Sequence, residues 1–184
     1  YLKFKKLIKN NYLNNNVNQK NLIFIFNICN FLKIDLKKII PTLNKFKGLR
    51  FRNEIVINGK KIKVINDSKS TSFSSTQELI DTKKKTFWIL GGLPKKGDKF
   101  TLTKKDCFNL RAYIFGKNAE FFAKRLKDKV HYQKFNNMIS AIKKIKIDFK
   151  KEQMPNEKII LFSPASASFD DFKNFEDRGK YFNY

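Results

Sequence analysis

Apolar positions along the chain follow two rhythms, and the change falls near Gly48. From Asn18 to about Phe46 they read as two helices. The first is very apolar over Leu22–Leu32, and Lys33-Ile34-Asp35 connects it to the second. Beyond Gly48 the pattern shortens. Asn53–Ile57 and Lys61–Ile65 flank Asn58-Gly59, the strongest short signal for a β-hairpin. Thr86–Leu90 (TFWIL), Leu110–Phe115 (LRAYIF) and Lys158–Phe162 (KIILF) are the near-continuous apolar runs of buried strands. Between them, Ser75–Lys83, Ala119–Leu126, Asn136–Phe149 and Phe169–Phe182 suit helices, and Val130–Phe135 a short edge strand. Short apolar strands alternating with helices predict an α/β fold: a Rossmann-like, mostly parallel sheet with helices on both faces, preceded by the hairpin and the helical segment. The predicted boundary divides residues 1–48 from 49–184.

Composition changes this picture little. Forty Lys+Arg against 16 Asp+Glu give a net charge of +24, a balance that raises nucleic acid or an anionic membrane as partner. The lysines are scattered through almost every segment, however, and the wealth of Lys, Asn, Ile and Phe matches A+T-rich codon usage. Cys29 and Cys107 form neither a disulfide framework nor a metal knuckle and read as buried thiols in a reducing compartment. His131 has no Cys or His nearby. Leu22–Leu32 is too short to span a bilayer, is interrupted by Asn27 and Asn30, and precedes no small-residue cleavage site, so it reads as a buried helix. The chain opens on Tyr1, not Met, and is expected to be a fragment lacking an N-terminal part.

Three candidate motifs fall at predicted strand ends, where open α/β sheets bind ligands. After Ile65 come Asn66-Asp67-Ser68-Lys69-Ser70-Thr71: a carboxylate for ribose or adenine donors, a cation for a phosphate and a hydroxyl for a carboxylate. The same residues would serve as a helix-capping loop. After Leu90 comes Gly91-Gly92-Leu93-Pro94-Lys95-Lys96-Gly97. Its paired glycines admit close backbone approach and a lysine follows, though an ordinary turn with solvated lysines has the same composition. After Phe162 come Ser163-Pro164-Ala165-Ser166-Ala167-Ser168-Phe169-Asp170-Asp171-Phe172-Lys173-Asn174-Phe175-Glu176-Asp177-Arg178-Gly179. Small residues leading into a helix N-terminus make an anion site, or else a packing crossing in which Ser168 is an N-cap. No G-x-x-x-x-G-K-[ST] phosphate loop occurs.

Taken together, N-D-S-K-x-T, L-G-G-x-x-K and S-P-A-x-A-S-x-D-x-F-K-N-F-E-x-R-G resemble the C-terminal domain of the Mur ligase family, in the pattern of its D-glutamate-adding members. Gly48-Leu49-Arg50-Phe51-Arg52 resembles the family's domain junction, which ends in an ATP-contacting arginine. Asn18-Gln19-Lys20-Asn21 resembles the N-x-x-N that closes around adenine. Leu93, Ser70, Ser72 and Ser166 depart from residues common in the family, without removing a contact donor.

The resemblance implies an enzyme that uses ATP and Mg²⁺ to phosphorylate the carboxylate of UDP-N-acetylmuramoyl-L-alanine. The amine of D-glutamate then attacks the acyl phosphate. Residues 1–48 would be the helical remnant of a central ATPase domain, and 49–184 the amino-acid-binding domain. Arg52 and Asp67 would contact ATP, with Asn18 and Asn21 at the base. Lys69 would be catalytic, beside the transferred phosphate. Thr71 and Lys95 (or Lys96) would hold one end of D-glutamate, and Ser168, the Phe169 backbone and Phe175 the other. The family's Mg²⁺ ligands would lie outside this stretch, so the 184 residues alone are expected to be inactive. The setting implied is the bacterial cytoplasm, with no membrane or nucleic-acid partner and a monomeric full-length enzyme. Two alternatives remain at this point: a family member adding a different amino acid, and a basic nucleic-acid-binding module.

Overall fold

A computed structural model of the chain describes residues 2–10, 12–13, 16–152 and 157–184. They divide into two compact units, one ending at Gly48 and the other running from Leu49 to Tyr184.

The first unit holds α1 (Leu2–Lys5), α2 (Asn16–Phe31) and α3 (Leu36–Lys45). Lys33 takes a left-handed φ of 54° in the connection. The Asp35 carboxylate then accepts from the Lys37 amide and caps α3. Leu22 and Phe26 of α2 pack with Ile8, Leu13 and Ile40. The rest of α2 departs from the buried helix expected: Phe24 is 69% and Phe31 85% exposed, because the unit is too small to cover a helix that is apolar all round. Cys29 is half-buried, whereas Cys107 in the second unit is buried, as both were expected to be.

The second unit is built on six strands: β1 (Glu54–Asn58), β2 (Ile62–Asn66), β3 (Thr86–Leu90), β4 (Leu110–Phe115), β5 (His131–Phe135) and β6 (Lys158–Phe162). Their order is β1-β2-β6-β3-β4-β5. Only β1 and β2 pair antiparallel; all other neighbours are parallel. Helices α4 (Phe73–Gln77), α5 (Ala119–Leu126), α6 (Met138–Lys151) and α7 (Phe175–Asn183) complete it. The central strand β3 shows why its sequence lacks alternation. Trp88 and Leu90 pack into one core with Phe73 and Phe122, while Phe87 and Ile89 pack into the other with Met138 and Ile145. Both faces are buried, as in other parallel sheets. The α/β class and the mostly parallel sheet match the expectation.

Three local expectations change. The Asn-Gly pair does not make the hairpin turn: Asn58 stays in β1 opposite Lys63, and the Gly59 amide bonds the Ile62 carbonyl. A separate bulge between Ile55 and Ile57 shifts the pairing register by one residue. Helix α4 stops at Gln77, well short of Lys83: the Leu79 and Ile80 amides bond the Thr76 and Gln77 carbonyls at the three-residue spacing of a tightened last turn. Helix α7 starts at Phe175, not Phe169. Phe172 N–H bonds Ser168 C=O in a single uncontinued turn. Asn174, fully extended, then caps the true helix by accepting from the Asp177 amide.

Candidate functional site

Sheet register brings three strand ends together. Phe162, the last residue of β6, pairs with Asn66 at the end of β2 on one side and with Ile89 of β3 on the other. The loops Asp67–Thr71, Gly91–Lys95 and Ser163–Asn174 therefore leave from adjacent points. Backbone bonds tie them at once. Asp67 N–H donates to Phe162 C=O (2.7 Å), Gly91 N–H to Pro164 C=O (3.2 Å), and Leu93 and Ala167 exchange two bonds (3.0 and 2.9 Å). Two devices allow so close an approach. Ala165 adopts a left-handed φ of 55°. Gly91 and Gly92 adopt φ of +146° and +131°, and a Cβ on Gly92 would stand 2.4 Å from Ser166 Oγ. The glycine pair thus gives the close backbone approach, with a bend at Gly92 and a single bridge at Leu93.

Beneath the loops lies a buried polar chain. Asp67 accepts from the Asn53 amide (2.9 Å) and from Ser163 Oγ (3.0 Å). Ser163 Oγ meets Thr76 Oγ1 at 2.8 Å, Thr76 Oγ1 meets Ser70 Oγ at 3.1 Å, and Ser163 C=O receives the Trp88 indole N–H at 2.7 Å. Burial raises the Asp67 carboxyl from its ordinary 3.8 to about 6, although the Asn53 amide, the Ser163 and Ser70 hydroxyls and the Arg52 charge all favour ionisation.

Helix α7 closes the cluster from the side. Its first residue, Phe175, receives the Lys69 ammonium over its ring, 4.0 Å from the centroid. Its backbone carbonyl accepts from Ser68 Oγ at 2.8 Å. Asn66 donates to Gly179 C=O and to Asn183 Oδ1, both at 2.8 Å, pinning the helix to β2. Arg178, fully buried, reaches between the loops to Ser68, Ser166 and Ala167.

The sequence-derived candidates fall as follows. Asp67, Lys69, Ser168 and Phe175 belong to this cluster, with Asp67 and Ser168 buried and Lys69 stacked on Phe175. Arg52 is exposed, and its charge acts on Asp67. Thr71, Lys95 and Lys96 stand exposed on the outer parts of their loops, and Phe169 is 71% exposed just after Ser168. Asn18 and Asn21 lie on α2 in the other unit, three residues apart and so on one helix face; Asn18 donates to Tyr12 C=O at 2.7 Å. The helix expected to open near Phe169 begins six residues later, so Ser168 is not its cap and the small-residue loop does not abut its N-terminus. Sequence reasoning quoted Arg178 and Ser68 without giving either a task. A signal existed for the first: Arg178 is one of five arginines among 40 basic residues. Among the described residues no group of three His, Cys, Asp or Glu is placed to hold a metal ion, and no helix is long and apolar enough to cross a membrane.

No family model matches the chain. Among curated proteins, it is 35% identical over 166 residues to the UDP-N-acetylmuramoylalanine--D-glutamate ligase of Wolbachia sp. subsp. Brugia malayi, covering 90% of this chain and 33% of that protein. It is 36% identical over 166 residues to the ligase of the same name from Wolbachia pipientis wMel, and 35% over 170 residues to that of Francisella philomiragia, with 32% and 40% of those proteins covered. The chain thus spans about a third of the length of these relatives. Among solved structures, a MurF ligase from Thermotoga maritima in complex with ADP aligns over 75% of the chain and 32% of its own length, with a TM-score of 0.47 and 16% identity. A pseudomurein peptide ligase type C from Methanothermus fervidus aligns over 73% and 30%, with 0.44 and 14%.

Fold and strand-end loops define the second unit as an open α/β domain with its polar cluster at the C-terminal edge of a parallel sheet. Over nine-tenths of its length, the chain is similar to these D-glutamate ligases.

Proposed function

We propose that the chain is the C-terminal portion of an ATP-dependent ligase that adds D-glutamate to UDP-N-acetylmuramoyl-L-alanine in bacterial peptidoglycan precursor synthesis. One observation carries this reading: three loops from adjacent strand ends are bonded into one cluster that includes Lys69, Ser168 and Phe175. It is supported by 33–36% identity to ligases of that name. Residues 49–184 form the amino-acid-binding domain, and residues 1–48 are the helical end of the central ATP-binding domain.

D-Glutamate carries two carboxylates and one amine, so its site needs separated donors and no cation at the reacting nitrogen. Thr71 and Lys95 take one carboxylate; Ser168, the Phe169 amide and Phe175 frame the other end. Lys69 stands between this site and the phosphate, where a compact ammonium offsets charge developing on the transferred group. Its seat on the Phe175 ring fixes its position without neutralising it. Arg52 and Asp67 contact ATP. Phosphorylation turns an inert carboxylate into an acyl phosphate. The D-glutamate amine then forms the amide bond and inorganic phosphate departs. Holding the amine in line and keeping water out are the protein's tasks. The described residues do not fit Mg²⁺ by themselves, so its ligands belong to the part of the relatives that this chain does not span.

The test is phosphate release by the natural polypeptide that carries these residues, with ATP and the UDP-sugar substrate. D-Glutamate is expected to drive release. Greater release with meso-diaminopimelate or lysine would assign a different amino acid. The 184 residues alone are expected to release none.

A further inference from the structure

Arg178 has no ordinary reason to be where it is. A fully buried guanidinium is costly to desolvate and is normally matched by a carboxylate. Here all five of its N–H groups go to neutral acceptors. Nε donates to Ser68 Oγ (3.1 Å), Nη2 to the Ser68 and Ser166 carbonyls (2.8 and 2.9 Å), and Nη1 to the Ala167 carbonyl and Ser166 Oγ (3.1 and 3.3 Å). The opposing charge that acts on it is Asp170, whose buried Oδ2 has no hydrogen-bond partner.

Each acceptor adjoins a residue of the proposed site. Ser68 lies between Asp67 and Lys69. Ala167 precedes Ser168 and pairs with Leu93 of the glycine loop. Ser166 Oγ donates onward to Gly91 C=O at 2.7 Å and faces the bare Cα of Gly92. Arg178 also lies one helical turn beyond Phe175, which seats Lys69. One planar fork therefore sets the spacing between the lysine-bearing loop, the glycine loop and the serine loop.

We infer that Arg178 is a positioning residue for the amino-acid site: it touches no substrate, and it fixes Lys69 and Ser168 relative to each other by fastening the backbones on either side. The inference rests on the D-glutamate reading above for its substrate, and on the hydrogen bonds alone for its fastening.

Lysine keeps the charge but offers a single point in place of the fork, so Arg178→Lys leaves several of these acceptors unmet. In the natural polypeptide, R178K is expected to raise the KM for D-glutamate about tenfold to a hundredfold. The KM for ATP should rise several-fold less, since Asp67, the one proposed ATP contact beside an Arg178 acceptor, is also held by the Asn53 amide and Ser163 Oγ. In parallel, hydrogen exchange at the Leu93 and Ala167 amides should accelerate at least tenfold, while the sheet amides of Ile89 and Leu161 keep their protection. Ser166→Ala, which removes one acceptor and the link to Gly91, should shift the same quantities in the same direction by less. It serves as the decisive variant if R178K does not fold. An unchanged D-glutamate KM in either folded variant overturns the inference. Equal acceleration at loop and sheet amides overturns it as well, because Arg178 would then only stabilise the fold. If the unsubstituted protein shows no D-glutamate dependence while the loop amides respond as stated, the substrate reading fails and the fastening stands.

Discussion

Asp67 shows how the cluster trades stability for readiness. Its carboxyl is raised from 3.8 to about 6, first by burial and against four favourable neighbours. The folded state therefore binds this proton more tightly than the unfolded chain does. The sign follows: the stability Asp67 contributes is greatest below about pH 4, falls as pH rises towards 6, and stays low above it. The gap between the two values corresponds to roughly 3 kcal/mol. Asp67→Asn is expected to gain up to about that much at pH 7 and to lose the decline between pH 4 and 6, as measured by urea unfolding across that range. Nucleotide affinity of the natural polypeptide should fall below about pH 6 in the unsubstituted protein, where Asp67 becomes neutral. The opposite expectation holds at Gly91. A Cβ there would lie 2.2 Å from the Phe115 carbonyl oxygen, a backbone atom with little room to yield, at a φ of +146°. Gly91→Ala should cost about 3 kcal/mol or more, read as a lower urea midpoint at constant slope.

At the scale of elements, α7 is the short helix on which the cluster leans, and Asn174 is its only described side-chain cap. Asn174→Ala is expected to destabilise the chain by about 1 kcal/mol and to speed exchange of the Asp177 amide, observable by NMR. The same helix marks how far sequence carries. Strands β3, β4 and β6 and helix α5 were legible to the residue, because the apolar runs of the strands stop at glycine or serine and α5 carries the spacing of a one-sided helix. The start of α7, the end of α4 and the hairpin turn were not. Each is decided by a local bond: the Asn174 side chain on the Asp177 amide, backbone turn bonds after Gln77, and the Gly59 amide on the Ile62 carbonyl. Motif order revealed the strand-end loops. The task of Arg178 stayed hidden because its acceptors are backbone carbonyls and hydroxyls as far as 110 residues away in sequence, which no spacing rule links.

At the scale of the whole molecule, both cores flanking the sheet belong to residues after Gly48. A polypeptide of residues 49–184 is therefore expected to unfold cooperatively on its own, with coincident far-UV and tryptophan transitions reported by Trp88; non-coincident transitions would show that the unit depends on the preceding helices. The order β1-β2-β6-β3-β4-β5 also has a bearing on biosynthesis. The strand made last fills the gap between the second strand and the third. Until the ribosome has released Lys158–Phe162, the hairpin and the remaining strands have no shared partner, and the apolar edges of β2 and β3 stand open. Nascent chains halted before that point should recruit chaperones and resist compaction, however much of the sheet has already emerged.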